Sequence, residues 1–507
     1  MADTLSASKQ GLAIANQARQ RRGWTKTSTA RWWQEAHTSR ATLRRFWRGE
    51  NIQKESFIAI CNAVGITNWQ QVSEAGVSSP VTTAKLAIAD WDEAPDLSLF
   101  CGRSPELKQL TGLVLRDRCR FISITGLPGI GKTALTLAFA DRVQTQFEGV
   151  IWRSLLYYPS PSDLVESLLA ALETPAPAFP KRVPQLVRLL KQRRYLIVLD
   201  GLDNLLQNDM SDDSLSLQTL LNPLIGMSHQ SCILVTSRPP LPLDTATASN
   251  FVTLQLNGLN RHDALQLLNG WEIAGNEPEK IALVRRYGSN PLAMQLAVPV
   301  IQSMFGGDVK AFLRQNELFV GDRLRTLLRQ LLGQLTPLER DILYWLAIWK
   351  EPIALSRLQT HLMPTPNPMQ VIEGLMQLEG RSLVSKSFVE NEPMFSLPPL
   401  ILEQGTEALV DQAVQDLLRL LQGNVSDQEK LTLWHTHALV RPGTDDVDGD
   451  RILIAIATEL KNCGGRTFLK RLIQLQVAYH DRPPQATGYL PHNISALLRK
   501  LNVHFQD

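Results

Sequence analysis

The stretch Gly126–Leu135 reads GLPGIGKTAL and places glycines at 126, 129 and 131 just ahead of Lys132 and Thr133. A glycine-rich loop that runs into a helix turns its amide NH groups toward one point, where they hold an anion together with the helix N-terminus. In the GxxxxGK[ST] spacing, met here by Gly126, Gly131, Lys132 and Thr133, the lysine reaches β/γ-phosphate oxygens and the hydroxyl ligates Mg²⁺. The expected cradle includes Gly129 and runs on to Ala134. Such a site needs a second acid for the metal at the end of a buried strand, and YLIVLDGLDN supplies Asp200 after a run of apolar residues. A lone carboxylate there would be costly without a cation. Asp203, three residues on, has two readings: it orients a hydrolytic water, or it caps the next helix. CILVTSRPP ends another apolar run in Thr236, Ser237 and Arg238, on the sheet edge where strand termini form a ligand crevice. There Arg238 can sense a γ-phosphate through paired hydrogen bonds.

These residues need a scaffold, and the sequence around them has one. Short apolar runs FISIT (121–125), GVIWRSL (149–155), YLIVLD (195–200), CILVTSR (232–238) and FVTLQLN (251–257) alternate with helical stretches. Nearly continuous apolar strands separated by helices predict a parallel sheet covered on both faces. After Asn257 helical patterns dominate. TPLERDILYWLAIW starts a helix with Thr336 as N-cap, Pro337 at the first helical position and Glu339 closing a capping box. Further on, RSLVSKSFVENEPMFSL reads as two strands around the turn residues Asn391, Glu392 and Pro393, and helices followed by a hairpin suggest a winged helix. The last hundred residues or so are helical again; Ile494, Leu497, Leu498 and Leu501 share one face.

The fold class is therefore multidomain α/β: a P-loop parallel sheet, then helical and winged-helix domains, with all-α domains at both ends. The expected divisions are 1–75, a linker over 76–98, 99–257 for the sheet, 258–320 helical, 321–405 winged helix and 406–507 helical. A chain of 507 residues exceeds one ordinary core. Its net charge of +3 is too small for a polyanion partner to engage the whole molecule. Five scattered cysteines, none in a CxxC pair, encode neither a disulfide framework nor a zinc site. No apolar run approaches the length of a membrane span, so the expectation is a cytoplasmic protein without a membrane partner.

Charge is local instead. From Arg19 to Lys54 ten lysines and arginines face only Glu35 and Glu50, over four short helical patterns. This arrangement resembles a phage-repressor helix-turn-helix, whose third helix would enter the major groove of DNA. Arg40, Thr42, Arg44, Arg45 and Arg48 are its candidate DNA-binding residues, with Ser39 at its front. The competing reading is a basic interaction module that recruits a protein.

The ordered set FCGRSPEL (100–107), GLPGIGKT, FEGVIWRSL (147–155), LIVLDGLD, ILVTSR and GSNPLA (288–293) resembles an NB-ARC module of the STAND class of signalling ATPases. Most similar are bacterial members in which WD or other sensor repeats follow the module. The resemblance implies that Phe100, Gly102 and Arg103 lie on the adenine side and that Pro291 packs on the base. It further implies that Arg238 senses the γ-phosphate, that ADP or ATP with Mg²⁺ is the cofactor, and that a winged helix closes over the nucleotide at rest. Two departures stand out. Gly201 occupies the place of the family's second consecutive acid, which looks more like the related NACHT pattern and implies slow hydrolysis. Leu397, Pro398 and Pro399 stand where the winged helix should carry a histidine. The expectation is an ADP/ATP switch that self-associates when ATP-bound and receives its signal from sensor repeats, which this chain lacks and a separate sensor protein would supply unless they are lost. Its output is transcriptional control or effector recruitment. The alternative is a DNA-binding repressor with a vestigial nucleotide site.

Overall fold

The computed structural model describes residues 4–21, 24, 30–66, 69, 72–73, 88–96, 100–158, 160–172, 181–207, 216–241, 250–271, 273–315, 318–422, 432–441, 450–461, 466–480 and 487–504. They fall into two compact units, Met1–Lys85 and Leu86–Asp507.

In the first unit α1 (Lys9–Arg21), α2 (Ala30–Glu35), α3 (Arg40–Trp47) and α4 (Lys54–Ala63) pack around Trp32, Leu43, Phe46, Phe57 and Ile60, all fully buried. Leu43 and Phe46, three apart, give α3 one apolar stripe and leave its arginines outside. Ser39 caps α3 by accepting from the Thr42 amide at 3.1 Å. Two short strands, β1 (Thr4–Leu5) and β2 (Ile52–Gln53), pair antiparallel and tie the chain start to the end of α3.

The second unit is built on six parallel strands in the order β3-β5-β6-β7-β4-β8. They are β3 (Ile88–Asp90), β4 (Phe121–Thr125), β5 (Gly149–Ser154), β6 (Tyr195–Asp200), β7 (Cys232–Ser237) and β8 (Phe251–Gln255). Every residue of β4 and β7 is buried, as expected of central strands with helices on both faces. Around the sheet lie α5 (Ser104–Thr111), α6 (Lys132–Val143), α7 (Pro161–Ala171), α8 (Arg182–Gln192), α9 (Asp203–Gln207) and α10 (Leu217–Gly226). Within 76–98, expected as a linker, residues 88–90 form β3, which pairs with β5, while 76–87 and 97–98 lie outside the described residues. Asp90 of β3 holds Arg153 at 2.6 Å, a long-range contact that no local pattern in the sequence announces.

Four helices follow: α11 (Arg261–Asn269), α12 (Glu277–Arg286), α13 (Pro291–Phe305) and α14 (Val309–Leu313). Next come α15 (Asp322–Gly333), α16 (Pro337–Trp349), β9 (Ile353–Ala354), α17 (Leu355–His361), α18 (Pro368–Gly380), β10 (Ser385–Val389) and β11 (Glu392–Ser396), with the strands in the antiparallel order β10-β11-β9. The Thr336–Glu339 capping box is present. The hairpin turn is Glu390–Asn391, both at positive φ, so Glu392 and Pro393 belong to the strand. That is the two-residue turn whose twist matches its flanking strands.

The expected boundary at 405/406 falls inside the uninterrupted α19 (Pro399–Gln422). Gly405 marks close packing there and no helix end: a Cβ on it would come 2.8 Å from the Leu343 side chain of α16. Among the described residues the remaining helices are α20 (Leu433–Thr436), α21 (Arg451–Lys461), α22 (Arg466–His480) and α23 (Leu490–His504), the last burying Ile494, Leu497, Leu498 and Leu501. Among the described residues no helix is long and apolar enough to cross a membrane.

Candidate functional site

The loop between β4 and α6 depends on its glycines. Gly126 and Gly129 adopt φ of 151° and 74°, and a Cβ would come 2.7 Å from the Leu256 carbonyl oxygen at the first and 2.6 Å from Leu292 Cβ at the second. Among the described residues the amides of Gly129, Gly131, Lys132 and Thr133 donate no hydrogen bond. These are the free donors of a helix start, which favour an anion. Lys132 Nζ donates to the carbonyls of Gly126 (2.8 Å) and Leu127 (3.1 Å). Burial in the cleft floor pushes its ammonium down to about 8, with Asp203 opposing that shift and Arg238 adding to it.

Asp200 ends β6 beside this loop. Its Oδ1 accepts from the Thr133 hydroxyl at 2.8 Å and the Thr236 hydroxyl at 2.6 Å. Burial raises the carboxyl above its ordinary value, and the two hydroxyls and Lys132 work against that rise. A hard cation bound here would relieve the same cost. Gly201 sits at φ 84°, and its amide donates to the Thr236 hydroxyl at 2.8 Å. The backbone at this turn thus explains the glycine that replaces an acid. Asp203 opens α9, so it lies inside the first turn and caps nothing from outside. Its carboxylate accepts from the Arg238 amide at 3.2 Å and lies 3.0 Å from Arg238 Nε.

The donor set fits a Mg²⁺-bound polyphosphate: free loop amides and Lys132 for the phosphates, Thr133 and Asp200 for the metal. Across the cleft the side-chain amide of Asn290 donates to the Pro128 carbonyl at 2.9 Å, and the Leu292 amide to the Gly129 carbonyl at 3.3 Å. Pro291, half-buried, opens α13 between them, and Ala134 lies half-buried in the first turn of α6. Phe100 is half-buried, and Gly102 at φ 70° lies against Asp263. Arg103 is buried, and its Nη2 donates to the carbonyls of Ile130 (2.9 Å) and Asn257 (2.7 Å), so its side chain braces the loop from behind. A cavity of about 350 Å³ opens where Leu127 and Ile130 meet Gly288, Ser382, Lys386 and Pro399.

Sequence reasoning named Thr236 without a role and passed over Asn290. The signal for Asn290 was present: Asn before Pro is the pattern of an N-cap followed by the first helical position, and Asn290 does cap α13.

Residues 120–274 match the family model of the NACHT domain. This segment is a NACHT domain, a P-loop NTPase of the STAND class. The NACHT assignment agrees with what Gly201 suggested, and a nucleotide is accordingly the ligand class of the site. Over 99% of its length the chain is 30% identical to an uncharacterised WD repeat-containing protein of Nostoc sp., covering 46% of that protein. Over 45% it is 27% identical to a nucleotide-binding leucine-rich repeat-like protein of Hyaloscypha variabilis, covering 23% of it. The chain thus spans less than half the length of these curated relatives. Among solved structures it is similar to a STAND protein with a tetratricopeptide repeat sensor from Pyrococcus horikoshii. That match has a TM-score of 0.30 and 17% identity, over 81% of this chain and 60% of the other.

In the first unit Arg40, Arg44, Arg45 and Arg48 are exposed and Thr42 is half-buried. Arg45 is committed to Glu50 (3.3 Å) and the Asn51 carbonyl (2.9 Å), Arg48 lies 3.7 Å from Glu50, and Arg40 stacks 5.8 Å over Trp33.

Proposed function

We propose that this chain is a nucleotide-controlled signalling switch in which ADP keeps the region around the NACHT domain closed and ATP releases it for self-association. The observation that carries the reading is that the phosphate loop is bonded from α13 while β8, beside it, is held from α18. Asn290 and Leu292 reach the loop, and the Gln255 side chain donates to the Glu379 carbonyl at 2.8 Å and the Ser382 hydroxyl at 3.0 Å. One ligand on the loop therefore contacts the joint between three segments, and its phosphate state can bias their arrangement. The α16–β11 segment acts as a winged helix that closes the site in the manner of NB-ARC proteins. Phe100 and Pro291 flank the base. Thr133 and Asp200 hold Mg²⁺, Arg238 reads the γ-phosphate, and slow hydrolysis resets the switch.

The exposed arginines of α3 favour output through DNA, which makes transcriptional control the first choice over protein recruitment. Purified full chain should carry ADP, should grow in size when ATP replaces it, and should bind a DNA library in a salt-dependent way. Phosphoryl transfer to a small acceptor would overturn the switch. A Lys132→Ala variant with every property unchanged would favour the second reading, a DNA-binding repressor with a vestigial site.

A further inference from the structure

Asp203 had two sequence readings, water-orienting acid or helix cap; it stands inside the first turn of α9, and its side chain is turned to Arg238. Its side chain is 7% exposed, and both oxygens face Arg238: Oδ1 takes the backbone amide at 3.2 Å and Oδ2 lies 3.0 Å from Nε. One carboxylate thus accepts from the backbone amide of this arginine and pairs by charge, without a hydrogen bond, with its side chain. Among the described residues the terminal Nη1 and Nη2 groups of Arg238 donate no hydrogen bond, and its side chain is 22% exposed. The arginine is gripped at its inner edge and open at its outer fork. Of the charges that act on Lys132, Asp203 is the foremost favourable one and Arg238 the foremost unfavourable one. The pair therefore lies within electrostatic reach of the lysine that reads the β/γ oxygens.

Resting on the nucleotide reading above, we propose that Asp203 is a positioning residue. It aims the Arg238 fork at the terminal phosphate of a nucleoside triphosphate and so sets the preference for tri- over diphosphate. A guanidinium gives its best energy and specificity to phosphate when two of its NH groups point at it together, and one held by Nε alone keeps that fork free. Long side chains lose rotamer entropy when they are ordered; Asp203 orders this one before the ligand arrives. The guanidinium beside it offsets the charge of the acid toward the incoming phosphate.

The test measures affinities of the full chain for ADP and for a non-hydrolysable ATP analogue, with ATP hydrolysis in parallel. In Asp203→Ala the preference for the triphosphate should fall about tenfold, a modest loss on the affinity scale. Asp203→Asn keeps an acceptor for the Arg238 amide but sets an NH2 donor against Nε, so it should lose nearly as much of the preference as the alanine variant. The double variant Asp203→Ala/Arg238→Gln should match Arg238→Gln alone, because the acid acts only through the arginine. Hydrolysis lost in both Asp203 variants with the preference unchanged would overturn the proposal and return the acid to the water. Additive losses in the double variant would do the same. A wild-type chain that binds neither nucleotide would bring down the nucleotide reading itself, an outcome distinct from binding without an Asp203 effect.

Discussion

The Asn290 side chain joins two elements at once: its Nδ2 donates to the Pro128 carbonyl at 2.9 Å while its Oδ1 accepts from the Ala293 amide at 3.1 Å. It is 1% exposed, so neither bond can be replaced by water. Asn290→Ala removes the cap of α13 and orphans a carbonyl at the tip of the phosphate loop. We expect a loss of about 2 kcal/mol in denaturant unfolding, from a cap worth about 1 kcal/mol and a buried unsatisfied carbonyl of similar cost. If the α13 tie couples the loop to the rest of the closed unit, the variant should also exchange bound ADP faster.

Lys132 makes nucleotide binding depend on pH. Burial holds its folded value near 8 against an ordinary 10.5, so between those values the folded site is neutral while the unfolded chain is charged. The unfolded state then binds more protons, and the residue's contribution to stability rises with pH through that window. Phosphate binding needs the ammonium and pulls the other way. Affinity should be flat below pH 8 and fall as pH rises above it, with net proton uptake on binding near pH 8. Calorimetry in buffers of different ionisation heat measures that uptake, and a Lys132→Ala chain should show none.

Much of this centre could be read from the sequence because the strands that carry it are buried on both faces. β4, β6 and β7 are buried along almost their whole length, and Lys132, Thr133, Asp200 and Arg238 stand at fixed offsets from their ends. What escaped is defined by distance in space. The three residues of β3 have no pattern of their own, and Arg153, sixty-three positions on, holds the strand in place through Asp90. The expected boundary at 405/406 falls where Gly405 lets α19 pack close against the Leu343 side chain, a contact 62 positions away in the chain. The Arg103 guanidinium bonds carbonyls 27 and 154 positions away, which no motif encodes.

Gly201→Asp would write the missing second acid back into the β6 end. At φ 84° an L residue pays roughly 1–2 kcal/mol, and the new Cβ would lie 2.9 Å from Asn204 Nδ2. The expected result is a less stable protein with no faster hydrolysis. A rise in ATP turnover without loss of stability would show that the turn accepts an acid.

His437 makes the C-terminal helices sensitive to acid. It is 1% exposed, stacked 5.3 Å from the Trp345 ring, and burial pushes it down to about 4. Between about 4 and 6.5 the unfolded chain takes a proton that the folded site refuses. Its contribution is therefore lost as pH falls, by up to about 1.4 kcal/mol per pH unit. Asp341, whose carbonyl lies 3.2 Å from Nε2, is raised by burial to about 6 and acts in the opposite direction, gaining on protonation. Unfolding curves between pH 5 and 7.5 should show a shallower acid loss in His437→Gln and a steeper one in Asp341→Asn.

The arginines of α3 differ in what they are free to do, and that ranks their variants. Arg45 already serves Glu50 and the Asn51 carbonyl, whereas the exposed Arg44 makes no ion pair among the described residues. If α3 contacts a nucleic-acid backbone, Arg44→Ala should weaken binding at every sequence and reduce the slope of log affinity against log salt by about 1. Arg45→Ala should instead loosen the turn after α3, with a smaller change in slope. A variant of Arg44 that alters preference among DNA sequences, with the slope unchanged, would place that residue on a base edge. Binding with no salt dependence in the wild type would turn the basic face toward a protein partner.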